Sequence, residues 1–192
     1  MRSTTRYLLC LILALAMLVS GCASSLPASD MQSGNSVKST QKAPQTAQNG
    51  NEVKADIVKI TVYRATLDAV YLVPEIHQIT RNESPAKTAL ELLLSPPNSK
   101  NVVSPIPKDT VLKKLTIKDR IAYADFNDKI IKNNIGGSAS ERLLVGAIVN
   151  TLTEFPEIEK VQILVEGKVI ETISGHVDIS EPLSRSIEII KK

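Results

Sequence analysis

The sequence predicts one α+β domain, in which a mainly antiparallel or mixed sheet of hairpins carries two helices on one face. Segments with strand-like alternation of apolar and polar residues come in neighbouring pairs. Between the pairs lie two stretches with apolar residues at helical spacing. The predicted order is therefore ββ-α-ββ-α-ββ. A doubly wound parallel sheet is disfavoured, because its strands alternate singly with helices.

The first two strands are predicted from apolar periodicity and one proline. Val58, Ile60 and Val62 alternate with polar residues, which predicts a half-buried strand. A second strand follows a short turn and covers residues 69–79. Pro74 lies inside it and cannot donate a ladder hydrogen bond, so this strand is predicted to lie at a sheet edge or to contain a bulge.

The first helix is predicted over residues 85–94, with Ser84 as the N-cap and Pro85 at the first helical position. Its predicted buried face consists of small and aliphatic residues, namely Ala86, Ala89, Leu90 and Leu93. The run Ser95-Pro96-Pro97 ends the helix, because a residue before proline is disfavoured in the α conformation.

Two further strands, residues 111–117 and 121–126, are predicted to form a hairpin. The first strand and the turn carry four cations, Lys113, Lys114, Lys118 and Arg120. They form a candidate basic contact patch for anionic wall polymers or lipid. The alternative is a solvated hairpin face that binds nothing.

The second helix is predicted between Gly136 and Pro156. Ser138 and Glu141 stand in the S-x-x-E register of a capping box, in which each side chain bonds the backbone N–H of the other residue. Pro156 is predicted to end the helix. The predicted buried stripe has helical spacing and consists of Leu144, Ile148, Thr151, Leu152 and Phe155.

The last predicted pair of strands follows this helix. Residues 161–165 alternate as a strand, Glu166-Gly167 forms a tight turn, and residues 168–173 form the returning strand. Residues 174–192 are predicted to wrap the domain, with one more short extended segment around Ile187–Ile190.

The N-terminus predicts export and lipidation. Arg2 and Arg6 precede an apolar run over residues 8–19, which is too short for a membrane-spanning helix and typical of a signal peptide. The run ends in Val19-Ser20-Gly21-Cys22, which resembles a bacterial lipobox. Residues 1–21 are therefore predicted to be a lipoprotein signal peptide. The Cys22 thiol is predicted to carry a diacylglyceryl group, and an acyl chain such as palmitate can also modify the new N-terminus. An ordinary secretory signal with a chance cysteine is the alternative.

Composition sets the domain boundaries and disfavours several classes of protein. Residues 22–54 are polar and low in large apolar residues, which predicts a lipidated flexible tether before a domain over residues 55–192. Net charge is +3, and it falls to +1 once the signal peptide is removed, so no nucleic acid partner is expected. Of the 2 cysteines, Cys10 lies in the signal peptide, so no disulfide is expected.

Catalytic and ligand-binding patterns in the sequence are weak. A hydrolase would pair His176 and Asp178 with Ser138 or Ser140, but the sequence has no G-x-S-x-G elbow. The two histidines, His77 and His176, lack the spacing of a metal site. The paired glycines before Ser138 could bind an anion at the helix start, although a capping box would use the same N–H donors. No enzyme activity, metal or cofactor is therefore predicted.

Five segments carry a resemblance to a known family, namely LVPE (72–75), ALELLLSPP (89–97), IPKDTVLKKLTIKDRIAYADFND (106–128), GGSASERLLVGAIVNTLTEFPEIEKVQILVEGK (136–168) and the closing SGHVDISEPLSR (174–185). The resemblance is to the GerMN domain family of sporulation and spore germination proteins, and it covers residues 56–185. It implies one non-enzymatic domain, similar to the ring-building motifs of secretion and sporulation channel proteins. It also implies a link to cortex peptidoglycan and germination.

Together these features predict a lipid-anchored interaction module at the outer face of the cytoplasmic membrane of a spore-forming bacterium. Its membrane contact is the lipid anchor, and its expected partners are envelope or sporulation-channel proteins, with peptidoglycan as a further candidate. The alternative is an extracytoplasmic lipoprotein that binds a cell-wall fragment or small molecule in a lined pocket. An envelope enzyme is disfavoured by the absence of a catalytic pattern.

Replacement of Cys22 by serine tests the lipidation prediction. Because serine has no thiol for the diacylglyceryl group, the C22S chain should remain unprocessed or be released from membranes. Membrane fractionation and the apparent mass of the chain measure both effects, with Cys10→Ser as the matched control. Unchanged membrane association and processing of C22S would contradict lipidation at this residue.

Overall fold

Two β-sheets and three helices make up residues 56–192, the part of the chain that the computed structural model describes. The predicted signal peptide, Cys22 and the tether over residues 22–54 lie outside the described residues. None of the helices within residues 56–192 has the length and apolarity needed to cross a membrane. In chain order the elements are β1 Ile57–Thr66, β2 Leu72–Thr80, α1 Pro85–Leu94, β3 Val102–Val103, β4 Leu112–Lys118, β5 Ile121–Phe126, α2 Lys129–Lys132, α3 Ser138–Leu152, β6 Lys160–Val165 and β7 Leu183–Ser184.

The first sheet has the strand order β2-β1-β3 and is antiparallel. The strand β2 lies at its edge, which confirms the prediction made from Pro74; this proline stands opposite Tyr63 in the ladder. The predicted half-buried strand β1 is instead buried on both faces in its second half, where Tyr63, Arg64 and Ala65 are all inaccessible to solvent.

The second sheet is mixed and has the order β4-β5-β6-β7. The predicted hairpin joins β4 and β5, and its two turn residues, Asp119 and Arg120, both have positive φ, of 51° and 62°. Two left-handed residues match the right-handed twist of the flanking strands. The strand β6 runs parallel to β5, and the segment that joins them contains α2 and α3.

The helix α3 is the centre of the domain. It contacts α1 and strands of both sheets, β1, β2 and β6. Every residue from Leu143 to Leu152 is buried, so the helix has no solvent-facing side over this length. The predicted stripe is therefore only part of a fully enclosed surface. Helix α1 has the predicted bounds and the predicted buried face.

Several predicted details are wrong. The strands form two sheets rather than one, and the order gains the short elements β3 and α2. Helix α3 ends at Leu152, so Phe155 lies in the following turn and Pro156 does not end the helix. The predicted strand over residues 168–173 is limited to a single bridge between Val165 and Lys168. It does not continue, because Ile173 N–H bonds Glu141 instead of a neighbouring strand.

The C-terminal segment packs against the start of β2 and the middle of α3. Leu72 N–H donates to the Ile189 carbonyl at 2.7 Å, and Lys191 N–H donates to the Leu72 carbonyl at 2.8 Å. The short extended segment predicted here is thus a single parallel bridge between Leu72 and Ile190. Gly146 makes room for it, because a Cβ added at Gly146 would lie 2.1 Å from Cδ1 of Ile189.

Replacement of Gly146 by alanine should destabilise the domain, although alanine favours helix by about 1 kcal/mol. The added methyl group overlaps the buried Ile189 side chain, and overpacking of a core costs about 1–3 kcal/mol. Because the helix preference offsets part of this cost, urea unfolding of the chain should show a net loss of up to about 2 kcal/mol in the free energy of unfolding.

The double variant G146A/I189V isolates the cause of this loss. Valine lacks the Cδ1 atom that the new methyl group meets, so G146A should cost little when it is introduced into I189V. An equal cost of G146A in both backgrounds would contradict the proposed contact.

Candidate functional site

An apolar groove of about 530 Å³ lies at one end of β1. Four segments that are distant in sequence line it: the β1–β2 connection with Ala69, the strand β3 with the loop over residues 104–109, the segment 133–135, and the first turns of α3. Its volume lies within the range of ligand pockets, roughly 300–1,000 Å³. A second pocket, between the start of α1 and β4, is smaller, at about 200 Å³. We call the larger surface the β3 groove.

Asparagine side chains hold the walls of the β3 groove in place. Asn133 Nδ2 donates to the Lys108 carbonyl at 2.8 Å, and Asn127 Nδ2 donates to the Asp109 carbonyl at 3.0 Å. Asn134 accepts from Ser140 Oγ at 3.4 Å. These contacts join the loop, the segment before α3 and α3 itself. The groove is therefore formed by the folded chain without a ligand.

Ser104 of the groove is hydrogen-bonded within the chain, whereas two aliphatic side chains of the groove face solvent. Ser104 Oγ both accepts from and donates to the backbone of Ile106, at 3.2 and 3.4 Å. By contrast, Ile135 is 93% exposed and Val103 is 41% exposed. Both belong to the groove, and an aliphatic side chain in water at this exposure leaves burial free energy available to a partner.

Glu141 and Ser138 do not form the predicted capping box. Gly137 is the N-cap of α3 and no side chain caps the helix start. The Glu141 carboxylate is fully buried and accepts three backbone N–H groups of the C-terminal region, from Ile173 at 2.8 Å, Ser174 at 2.9 Å and His176 at 2.8 Å. The carboxylate bonds these tertiary donors instead of the backbone of Ser138, because together they satisfy both of its oxygens in the core.

The pKa of Glu141 reflects two opposing causes. Burial acts to raise this pKa, but the backbone donors of Ser174, His176 and Ile173 outweigh burial and hold the pKa below its ordinary value. The carboxylate is thus stabilised in its charged form. Its role is to hold the C-terminal region against the start of α3.

The residues of the hydrolase alternative are not brought together as a triad. Asp178 Oδ1 accepts from the backbone N–H and the hydroxyl of Ser180, at 2.9 and 2.6 Å. Ser140 Oγ donates to Asn134, and no hydrogen bond within residues 56–192 joins His176 to Asp178, Ser138 or Ser140. No group of three or more His, Cys, Asp or Glu side chains within residues 56–192 is placed to hold a metal ion.

The closing segment is held by a second polar cluster. Arg185 pairs with Glu154, donates to the Tyr63 hydroxyl at 2.5 Å and donates to the Asn150 carbonyl at 3.1 Å. Tyr63 in turn donates to Glu154 at 2.8 Å, and burial together with this hydrogen bond raises the pKa of Tyr63. The arginine of the closing motif thus joins the tail to β1 and to the end of α3.

A third cluster surrounds Arg64, which is fully buried in β1. Its guanidinium donates to three carbonyls at the end of α1, those of Leu92, Leu93 and Ser95, at 2.7–3.0 Å. Glu75 lies 3.4 Å from Arg64 and 2.6 Å from His77 Nε2. Burial lowers the pKa of Arg64, and Glu75 partly offsets this effect. A cation at a helix C-terminus satisfies carbonyls that have no helical partner.

The candidate basic patch lies on the β4–β5 hairpin, and acids are interspersed with its cations. Lys113 pairs with Glu166, Lys118 Nζ lies 4.0 Å from Asp119, and Arg120 Nε lies 2.7 Å from Glu159. Lys114 stands opposite Asp125 in the strand register. This balance of charge favours the solvated hairpin face, and the contact patch stays a prediction.

The β3 groove and Arg64 are the features that the sequence pattern did not indicate. The groove has no periodic signal, because its four segments meet only after folding. A weak signal for its rim is Ile135, an isolated aliphatic residue between two asparagines and two glycines. No local signal marks Arg64, because the three carbonyls that its guanidinium binds lie 28–31 residues further along the chain.

The fold and the site define a small α+β domain that presents a preformed apolar groove. Comparison with known proteins shows the family to which this domain belongs. A family model described as sporulation and spore germination matches residues 61–171, more than half of the chain. The chain is 30% identical over 165 residues to the spore germination protein GerM of Bacillus subtilis (strain 168), covering 80% of this chain and 44% of that protein. The chain therefore belongs to the sporulation and spore germination family.

Solved structures agree with the fold. The first GerMN domain of GerM from Bacillus subtilis superposes with a TM-score of 0.57 at 27% identity, covering 67% of this chain and 98% of that domain. The tandem GerMN domains of the same protein give a TM-score of 0.56 at 27% identity, covering 67% of this chain and 46% of that structure. The α+β fold class and the GerMN resemblance are confirmed. The chain spans less than half the length of the curated relative.

Replacement of Glu141 by glutamine tests the anchoring of the C-terminal region. One oxygen becomes an NH₂ group that faces a backbone donor, and the charge is lost, so the free energy of unfolding should fall by about 3 kcal/mol at neutral pH. Denaturant unfolding of E141Q measures this loss. The exposed replacement Glu181→Gln is the matched control and should leave the unfolding free energy unchanged.

The comparison of wild type with E141Q also tests how the free energy of unfolding depends on pH. The native pKa of Glu141 is lowered, so its stabilisation is complete above the unfolded pKa of about 4.3 and is lost as pH falls through the native value. The stability gap between wild type and E141Q should therefore be constant near neutral pH and shrink in acid. A gap that grows on acidification would contradict the assignment.

Proposed function

We propose that this protein is a non-catalytic, lipid-anchored interaction module with a role in sporulation or spore germination, and that it docks proteins through the β3 groove. Family membership supports the role in sporulation. The observation that carries the docking proposal is the exposure of aliphatic side chains in a groove whose serine and asparagine side chains are already hydrogen-bonded within the chain. Apolar surface held ready in this way gains free energy when a partner covers it.

The groove is better suited to binding than to chemistry. Its ionisable side chains are Lys108 and Asp109, both at the surface, and the walls are mainly aliphatic side chains and prolines. A catalytic site would need a nucleophile or general base with an orienting partner. Ser104 and Ser140 instead bond the backbone and an asparagine.

The proposed location is the outer face of the cytoplasmic membrane of a spore-forming bacterium. The N-terminal signal and Cys22 support the anchor, and the polar residues 22–54 support a tether between the anchor and the folded domain. The proposed partners are envelope or sporulation-channel proteins, with peptidoglycan as a further candidate. The relative in Bacillus subtilis is a spore germination protein, in agreement with this setting.

A second candidate function is the binding of a small molecule, and the volume of the β3 groove favours it. A groove of about 530 Å³ has the size of a ligand pocket. Its walls contain no aromatic side chain and few free polar groups, so an aliphatic molecule fits them better than the sugars of a wall fragment.

Complementation of a deletion strain tests the proposed function. The wild-type gene should restore the yield of heat-resistant, germinating spores, and I135D should not, because a carboxylate on the rim prevents apolar docking. The control I187D changes an aliphatic residue that is 69% exposed and is not part of the groove, and it should complement. Both variants should accumulate to the wild-type level.

Affinity isolation from sporulating cells distinguishes the two candidates. Envelope proteins that are recovered with wild type and I187D but lost with I135D support protein docking. Recovery of a small aliphatic molecule and no protein would favour ligand binding. Normal spores in the deletion strain would contradict a role in sporulation or germination.

A further inference from the structure

The rim of the β3 groove carries an exposed aliphatic side chain beside an apolar hollow, and one charge of each sign. We propose that the groove binds the same groove of a second copy of this chain, giving a dimer with two-fold symmetry. In such an interface one surface contacts itself, so each group on it must find its complement within the same surface. The β3 groove contains an apolar hollow, an apolar projection and one charge of each sign.

The apolar hollow and the apolar projection lie side by side. Ile135 is 93% exposed, although it forms part of the wall of a groove lined by Val103, Ile106 and Leu143. Its side chain therefore projects from the surface beside a cavity with aliphatic walls, and such a cavity can bury an isoleucine side chain. In the proposed dimer each Ile135 lies over the hollow of the opposite copy, which removes both side chains from water.

The charges of the rim select this occupant over other apolar partners. Lys108 and Asp109 are adjacent, exposed and part of the groove, and neither takes part in an ion pair within residues 56–192. Asp109 Oδ2 accepts only a long contact of 3.4 Å from Asn133. A strongly acidic or basic partner would meet one like charge. A second copy related by two-fold symmetry instead places each Lys108 near the opposite Asp109.

This proposal deepens the proposed function and rests on its claim that the β3 groove is a docking surface. It names the partner at that surface as the chain itself. A two-fold interface of this kind closes on itself and produces dimers rather than extending filaments. Its area is limited by the size of the groove, so the dimer should dissociate on dilution.

Sedimentation velocity of the full-length chain in detergent micelles tests the proposal. Wild type should convert from monomer to dimer as concentration rises. I135D should weaken association by at least about tenfold, because two aliphatic contacts are replaced by two buried carboxylates. The control I187D should associate like wild type. Because all variants share the same N-terminal segment, differences between them belong to the groove.

Charge reversal tests the two-fold pairing specifically. K108E and D109K should each weaken association by about fivefold, because each creates two like-charge contacts in place of two ion pairs. The double variant K108E/D109K should return to within about twofold of wild type. Asp109 has a φ of 64°, which asparagine tolerates well, so D109N is the fold-preserving variant and should weaken association by about twofold.

The outcomes separate this proposal from the function that it extends. A wild-type chain that is monomeric at all concentrations, or a dimer unaffected by I135D, would overturn self-association. Self-association through this interface would also be overturned if the double variant K108E/D109K associated more weakly than either single variant. If I135D also fails to complement the deletion strain while the wild-type chain is monomeric, the groove binds a different partner. In that case the proposed function stands without the dimer.

Discussion

The domain depends on one buried carboxylate, that of Glu141. Its two oxygens accept three backbone N–H groups from residues that lie 32–35 positions further along the chain. An unpaired carboxylate at this depth would cost several kcal/mol, and the return of the C-terminal region to the start of α3 removes that cost by supplying the donors. That return places Ile189 against Gly146 and Leu72, and it brings Arg185 to Glu154. The central helix and the tail are therefore stabilised together.

Three polar side chains that are buried or partly buried have structural partners. Glu141 holds the tail, Arg185 joins the tail to β1, and Arg64 binds carbonyls at the end of α1. The β3 groove, by contrast, leaves aliphatic side chains exposed to a partner. Polar contacts that hold the fold together and apolar side chains that stay exposed suit an interaction module. The rigid polar contacts keep the hydrophobic surface preformed, and this lowers the entropy cost of binding.

Local patterns in the sequence predicted the elements, and distant contacts account for what they missed. Helix α1 and the β4–β5 hairpin were predicted correctly, because the determinants of each lie within a few residues. The prediction of the capping box was wrong, because S-x-x-E is a local rule and the backbone donors that bind Glu141 lie in the C-terminal region. The β3 groove was not predicted, since four segments build it and none has a periodic signal. The GerMN resemblance supplied the family that the site alone does not define.

Native-state hydrogen exchange of the full-length chain tests most directly whether the tail belongs to the core. The amide protons of Ile173, Ser174 and His176, which bind Glu141, should exchange only with global unfolding. Their opening free energies should then equal those of the amides in the middle of α3. Exchange of these three amides at the rate of an unfolded chain, with α3 still protected, would contradict the view that the carboxylate joins tail and helix into one cooperative unit.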